Sequence, residues 1–100
     1  MKTKPEMTEL RSFLSGYFHE DWTLDASSTD EVVAQFLKAG PSSAKIDRIV
    51  SQIQACLNSQ LSDEAIERNL LQELGCYYLP SADGLGARAW LFQVAELLKK

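Results

Sequence analysis

His19 stands between Phe18 and the carboxylates Glu20 and Asp21, inside a run that reads Gly16-Tyr17-Phe18-His19-Glu20-Asp21-Trp22. An imidazole beside a carboxylate is the simplest form of a general base, because the acid orients the ring and raises its basicity. The rest of the chain gives that pair nothing to work with. His19 is the sole histidine, no serine or cysteine sits in a nucleophile motif, and there is neither a glycine-rich phosphate loop nor a second histidine to complete a zinc or iron site. Catalysis and metal binding are set aside, no cofactor is expected, and His19 reads as a hydrogen-bonded structural residue. What the run does carry is aromatic area with polar tips, the composition of a core anchor or an interface.

The carboxylates have a second use in binding. Five of the 14 acidic residues, Glu20, Asp21, Asp25, Asp30 and Glu31, fall in one window that contains no lysine or arginine, while the remaining acids nearly balance the 10 basic residues. The net charge of -4 therefore belongs to one segment. A local negative field attracts a basic partner and repels nucleic acid. With no helix carrying a basic stripe, a DNA-binding helix-turn-helix is disfavoured. Asp30 and Glu31 are also placed to complement the start of a helix, and both uses can hold together. The candidate binding residues are Glu20, Asp25, Asp30 and Glu31, with Asp83 in a later loop.

Those residues need a frame, and length and composition bound it. A chain of 100 residues with 45% hydrophobic and 24% charged residues is an ordinary single globular domain that folds alone. No apolar run reaches the roughly 20 residues that cross a bilayer, and Met1-Lys2-Thr3-Lys4-Pro5-Glu6 lacks the apolar stretch of a secretory signal. A cytoplasmic protein with no membrane association is expected. Cys56 and Cys76 then stay reduced and serve as small core hydrophobes.

Periodicity and caps predict helices throughout. A first helix starts from a Thr3–Glu6 capping box and carries Met7, Leu10, Phe13, Leu14, Tyr17 and Phe18 on one stripe toward Gly16, which either caps it or lets another helix approach. Thr23 to Ser27 reads as a loop. Ser28 with Glu31 caps a second helix, ended by Gly40-Pro41, and a third from Ser42 or Ser43 bears the clearest stripe, Ile46, Ile49, Val50, Ile53 and Leu57. That helix is expected to be central, with Lys45, Asp47, Arg48, Ser51 and Gln52 solvated. A fourth helix runs from the Ser62 cap to a left-handed stop at Gly75, and Asp83-Gly84 turns into a last helix with Ala87, Trp90, Leu91, Val94, Leu97 and Leu98. The fold class is all-α, a single compact bundle of about five short helices. Tyr77 to Leu79 is the one extended piece.

Both Leu14-Ser15-Gly16-Tyr17-Phe18 and Leu74-Gly75-Cys76-Tyr77-Tyr78 place aromatics after a helix and a glycine. The two clusters are expected to meet and close the bundle, so that truncating Tyr77 costs as much as truncating Phe18.

The run from Gly16 to Trp22, followed by Gly75-Cys76-Tyr77-Tyr78, Pro80, Asp83-Gly84 and Trp90-Leu91, resembles the CdiI-type immunity proteins of contact-dependent growth inhibition systems, from about Leu10 to Leu98. The resemblance implies a cytoplasmic bacterial protein that binds and blocks a cognate CdiA C-terminal toxin domain, delivered by a neighbouring cell. It includes an immunity protein paired with a toxin of the pancreatic-ribonuclease-like class, so a ribonuclease is the expected target. Residues shared by a family whose members face different toxins are expected to be scaffold: Tyr17, Phe18, His19, Asp21, Trp22, Tyr77, Tyr78 and Trp90. Recognition then falls to the acids beside them, in a protein that is a monomer when free. The same composition would fit a helical adaptor or regulatory module without a toxin partner.

Overall fold

Serine hydroxyls set the starts of three helices. In the computed structural model, which describes residues 8–99 except the side chain of Asp25, the elements are α1 (Thr8–Tyr17), α2 (Trp22–Asp25), α3 (Thr29–Lys38), α4 (Ser43–Leu57), α5 (Asp63–Gln72), a 3₁₀ turn (Pro80–Asp83) and α6 (Ala87–Leu98). Ser28, Ser42 and Ser62 each accept a hydrogen bond from a backbone N–H in the first turn that follows, those of Glu31, Lys45 and Ala65. Each satisfies a donor that the helix cannot pair internally. The expected Thr3–Glu6 box, Pro5 and Met7 lie outside the described residues. The bundle is all-α as expected, with five helices of ten residues or more and no strand among the described residues. The segment read as a loop after Trp22 instead winds into the single turn α2.

Glycine ends α3 and follows α5 in the left-handed region, at Gly40 (φ 84°) and Gly75 (φ 69°). Gly75 has a second reason to lack a side chain, since a Cβ there would stand 2.9 Å from Ser15 Cβ of α1. Gly16 does neither job. It lies within α1 with nothing within 4 Å of where its Cβ would be.

The hub of the bundle is α6, which packs against α3, α4, α5 and the 3₁₀ turn, whereas α4 meets α6 and α1. The expectation that Ile46 to Leu57 would form the central helix is corrected accordingly. Ile49 and Ile53 of α4 are fully buried and its flanking Ile46, Val50 and Leu57 half-buried, while α6 buries Ala87, Trp90, Leu91, Val94, Ala95 and Leu98. A helix surrounded by neighbours buries a wider sector than a clean stripe, and small residues such as Ala87 and Ala95 suit that crowding. On the polar side of α4, Asp47, Arg48 and Ser51 are exposed as expected, while Lys45 and Gln52 are half-buried. Gln52 Oε1 accepts the Leu10 N–H at 2.8 Å, and Arg48 pairs with Glu9 at 3.8 Å, so this side holds the first turn of α1.

Candidate functional site

The run from Tyr17 to Trp22 is built into a chain of rings that joins α1, α2, α3, α6 and the segment after α5. Phe18 is fully buried and contacts Phe13, Trp22, Tyr78 and Trp90, with centroids 5.3 to 6.3 Å apart. Tyr17 reaches the other way, to Phe13 at 5.9 Å and Phe36 at 5.3 Å. Tyr78 closes the cluster against Trp90 at 4.9 Å and Trp22 at 5.7 Å. Edge-on and tilted pairs of this kind add about 0.5–1.5 kcal/mol each beyond the area they bury. The indole N–H of Trp90 finds no acceptor among the described residues.

The two aromatic groups therefore meet, but through Tyr78. Tyr77 turns its ring to solvent, 51% exposed, and contributes through its backbone N–H, which donates to the Phe18 carbonyl at 2.7 Å. The expected equivalence of Tyr77 and Phe18 is overturned by that alternation: along the extended segment Cys76, Tyr78 and Pro80 point inward, Tyr77 and Leu79 outward. His19 is half-buried and its Nδ1 accepts the Asp21 N–H at 3.1 Å, which tightens the link into α2. Asp21 takes the N-cap position of α2 without a side-chain cap.

The candidate acids divide by what they already hold. Glu20 and Asp30 are exposed. Glu31 is also exposed, but its carboxylate accepts both the Ser27 N–H at 2.7 Å and the Ser27 hydroxyl at 2.8 Å, and the backbone bond above all holds its pKa below the usual carboxylate value. Asp83 accepts the Tyr78 hydroxyl at 2.8 Å, which makes it a support of the aromatic cluster as well as a surface acid. Asp25 closes α2, and its side chain lies outside the described residues. Glu20, Asp25, Asp30 and Glu31 thus follow one another around α2 and the start of α3, and Asp83 lies in the 3₁₀ turn, joined to Trp22 of α2 through the Tyr78 ring. Among the described residues no three His, Cys, Asp or Glu side chains gather into a metal-sized group, and no helix is long and apolar enough to cross a membrane.

The CdiI immunity protein family matches residues 6–98. The chain belongs to that family. A crystal structure of a CdiA-CT/CdiI complex from Y. kristensenii 33638 contains a chain of the same fold, with a TM-score of 0.82, 23% sequence identity, and coverage of 92% of this chain and 97% of that one. No curated protein sequence matches this chain.

Two residues of this CdiI-family chain that hold the frame carried no signal in the sequence. Arg88 of α6 donates from its guanidinium to the carbonyls of Leu57, Ser59 and Leu61, and its N–H donates to Asp63 Oδ1 at 3.0 Å. One side chain thereby satisfies the end of α4 and pins the link to α5. Glu67 of α5 accepts the Ser81 N–H at 2.9 Å and the Ser81 hydroxyl at 2.8 Å, which fixes the 3₁₀ turn bearing Asp83. Spacing could not have found either one, because the partners lie 14 to 31 residues away.

Proposed function

We propose that this protein acts as a single-domain monomer in the cytoplasm, where it binds a cognate CdiA C-terminal toxin domain and neutralises it by covering the active site of a ribonuclease. Family membership supports the immunity role. The observation that carries the choice of target is the acid-only segment from Glu20 to Glu31, mounted on an aromatic frame at the surface. A ribonuclease holds phosphate with Lys, Arg and His, and carboxylates can take the place of phosphate against such groups. Glu20, Asp25, Asp30 and Glu31 are the proposed contacts, with Asp83 at the margin. Blockade of this kind needs no cofactor, only an interface of about 1,200–2,000 Å² in total.

Co-expression with the toxin domain encoded beside it tests the reading. Growth rescue, co-purification and loss of RNA cleavage by the purified toxin are the expected results. Absence of both rescue and complex, repeated against a set of unrelated toxins, would replace immunity with the helical adaptor reading. Rescue from a toxin that does not cleave RNA would keep the immunity role and remove the ribonuclease.

A further inference from the structure

The acidic segment also displays the most exposed large apolar side chain among the described residues. Leu24 is 80% exposed. A leucine alone on a surface is unremarkable in itself, since folded proteins leave much apolar area in water. Its mounting sets this one apart. The Trp22 N–H donates to the His19 carbonyl, the Leu24 N–H to the Asp21 carbonyl, and the Ala26 N–H to the Trp22 carbonyl, at 2.9 to 3.2 Å. The Trp22 ring rests on Phe18 and Tyr78, and Ala26 on the far side of the turn is buried. The backbone beneath Leu24 is therefore ordered before any partner arrives, which lowers the entropic cost of using it as a contact.

Beside Leu24 lies a shallow, open depression lined by Thr23, Leu24, Ala26, Ser27 and Glu31. Glu20, Asp21 and Asp30 are exposed along the same segment, and no lysine or arginine interrupts it. An apolar knob beside a depression and set among acids complements a surface with an apolar pocket and a cationic rim. We propose that Leu24 is the apolar anchor of the toxin interface, seated in a pocket of the toxin domain that is bordered by Lys or Arg. The assignment rests on the proposed immunity function and divides the work within it. The acids speed encounter, and the anchored leucine slows escape.

The test is the binding kinetics of the purified cognate toxin domain to the wild type, Leu24→Ala and Phe92→Ala. Phe92 is 56% exposed on α6, outside the acidic segment, and serves as the comparison. Leu24→Ala is expected to keep the wild-type melting temperature and association rate while dissociating at least about tenfold faster, as loss of a buried contact at an interface centre does. Phe92→Ala is expected to match the wild type. Wild-type dissociation by Leu24→Ala, or an equal loss in Phe92→Ala, would overturn the anchor and leave the immunity function standing. No binding by the wild type would remove both.

Discussion

Tyr77 and Tyr78 differ by one position along an extended segment, and the reversal of side-chain direction separates a surface ring from a core ring. Phe18→Ala and Tyr78→Ala each empty a fully packed site and are expected to cost about 3–5 kcal/mol in urea denaturation, whereas Tyr77→Ala is expected to cost less than about 1 kcal/mol. The hydroxyl of Tyr78 adds its bond to Asp83, so Tyr78→Phe is expected to lose about 1 kcal/mol. Burial pushes the Cys76 thiol from 9.0 up to about 12, and burial with the Asp83 carboxylate raises the Tyr78 phenol above its usual 10.0. The folded state then keeps protons that the unfolded chain releases. Stability is full below about pH 9 and falls as pH rises toward 12. Cys76→Ala is expected to make that alkaline decline shallower in urea titrations on either side of pH 9; an unchanged slope would contradict the burial of the thiol. Which of two adjacent tyrosines would be core was not legible, because a segment without a period carries no face.

At the scale of the elements, the glycines within the two similar sequences differ in what they do. Gly75→Ala places a side chain at φ 69° and a Cβ 2.9 Å from Ser15 Cβ, and is expected to destabilise by at least about 1–2 kcal/mol. Gly16→Ala fills open space within α1 and is expected to stabilise by about 0.5–1 kcal/mol, so thermal melts of the two variants should move in opposite directions. The serine caps of α3, α4 and α5 and the stop at Gly75 were legible because their chemistry is local, confined to a few neighbouring residues. α2 was not, since a single turn has too few residues for a period and is held by Trp22 on the aromatic cluster. Arg88 was hidden for another reason, since its partners lie 25 to 31 residues away. Arg88→Ala leaves three carbonyls without its guanidinium and is expected to cost about 2–3 kcal/mol, and Arg88→Lys should recover only part of that because an ammonium cannot reproduce the planar fork.

For the whole molecule, separation of the frame from the proposed recognition surface accounts for how the chain is written. The aromatic rings are largely spent on joining helices, as Phe18, Tyr78 and Trp90 show. The acid-only segment runs around the outside of that frame and leaves Glu20, Asp30 and Leu24 at the surface. The charge of the segment was legible as composition. Its division into free and engaged acids was not, because the Tyr78 bond to Asp83 and the Ser27 bonds to Glu31 depend on the folded backbone. The proposed immunity function requires this field to act at a distance, on the approach of a basic toxin domain.

Steering by this field is read from the association rate of the cognate toxin domain, measured across ionic strength for the wild type and for a variant combining Glu20→Gln with Asp30→Asn. The wild-type rate is expected to fall on the order of tenfold as salt is raised from low to high, with little change in dissociation, and to depend on salt less steeply in the variant. A wild-type association rate independent of salt, or an equal dependence in the two proteins, would contradict that steering.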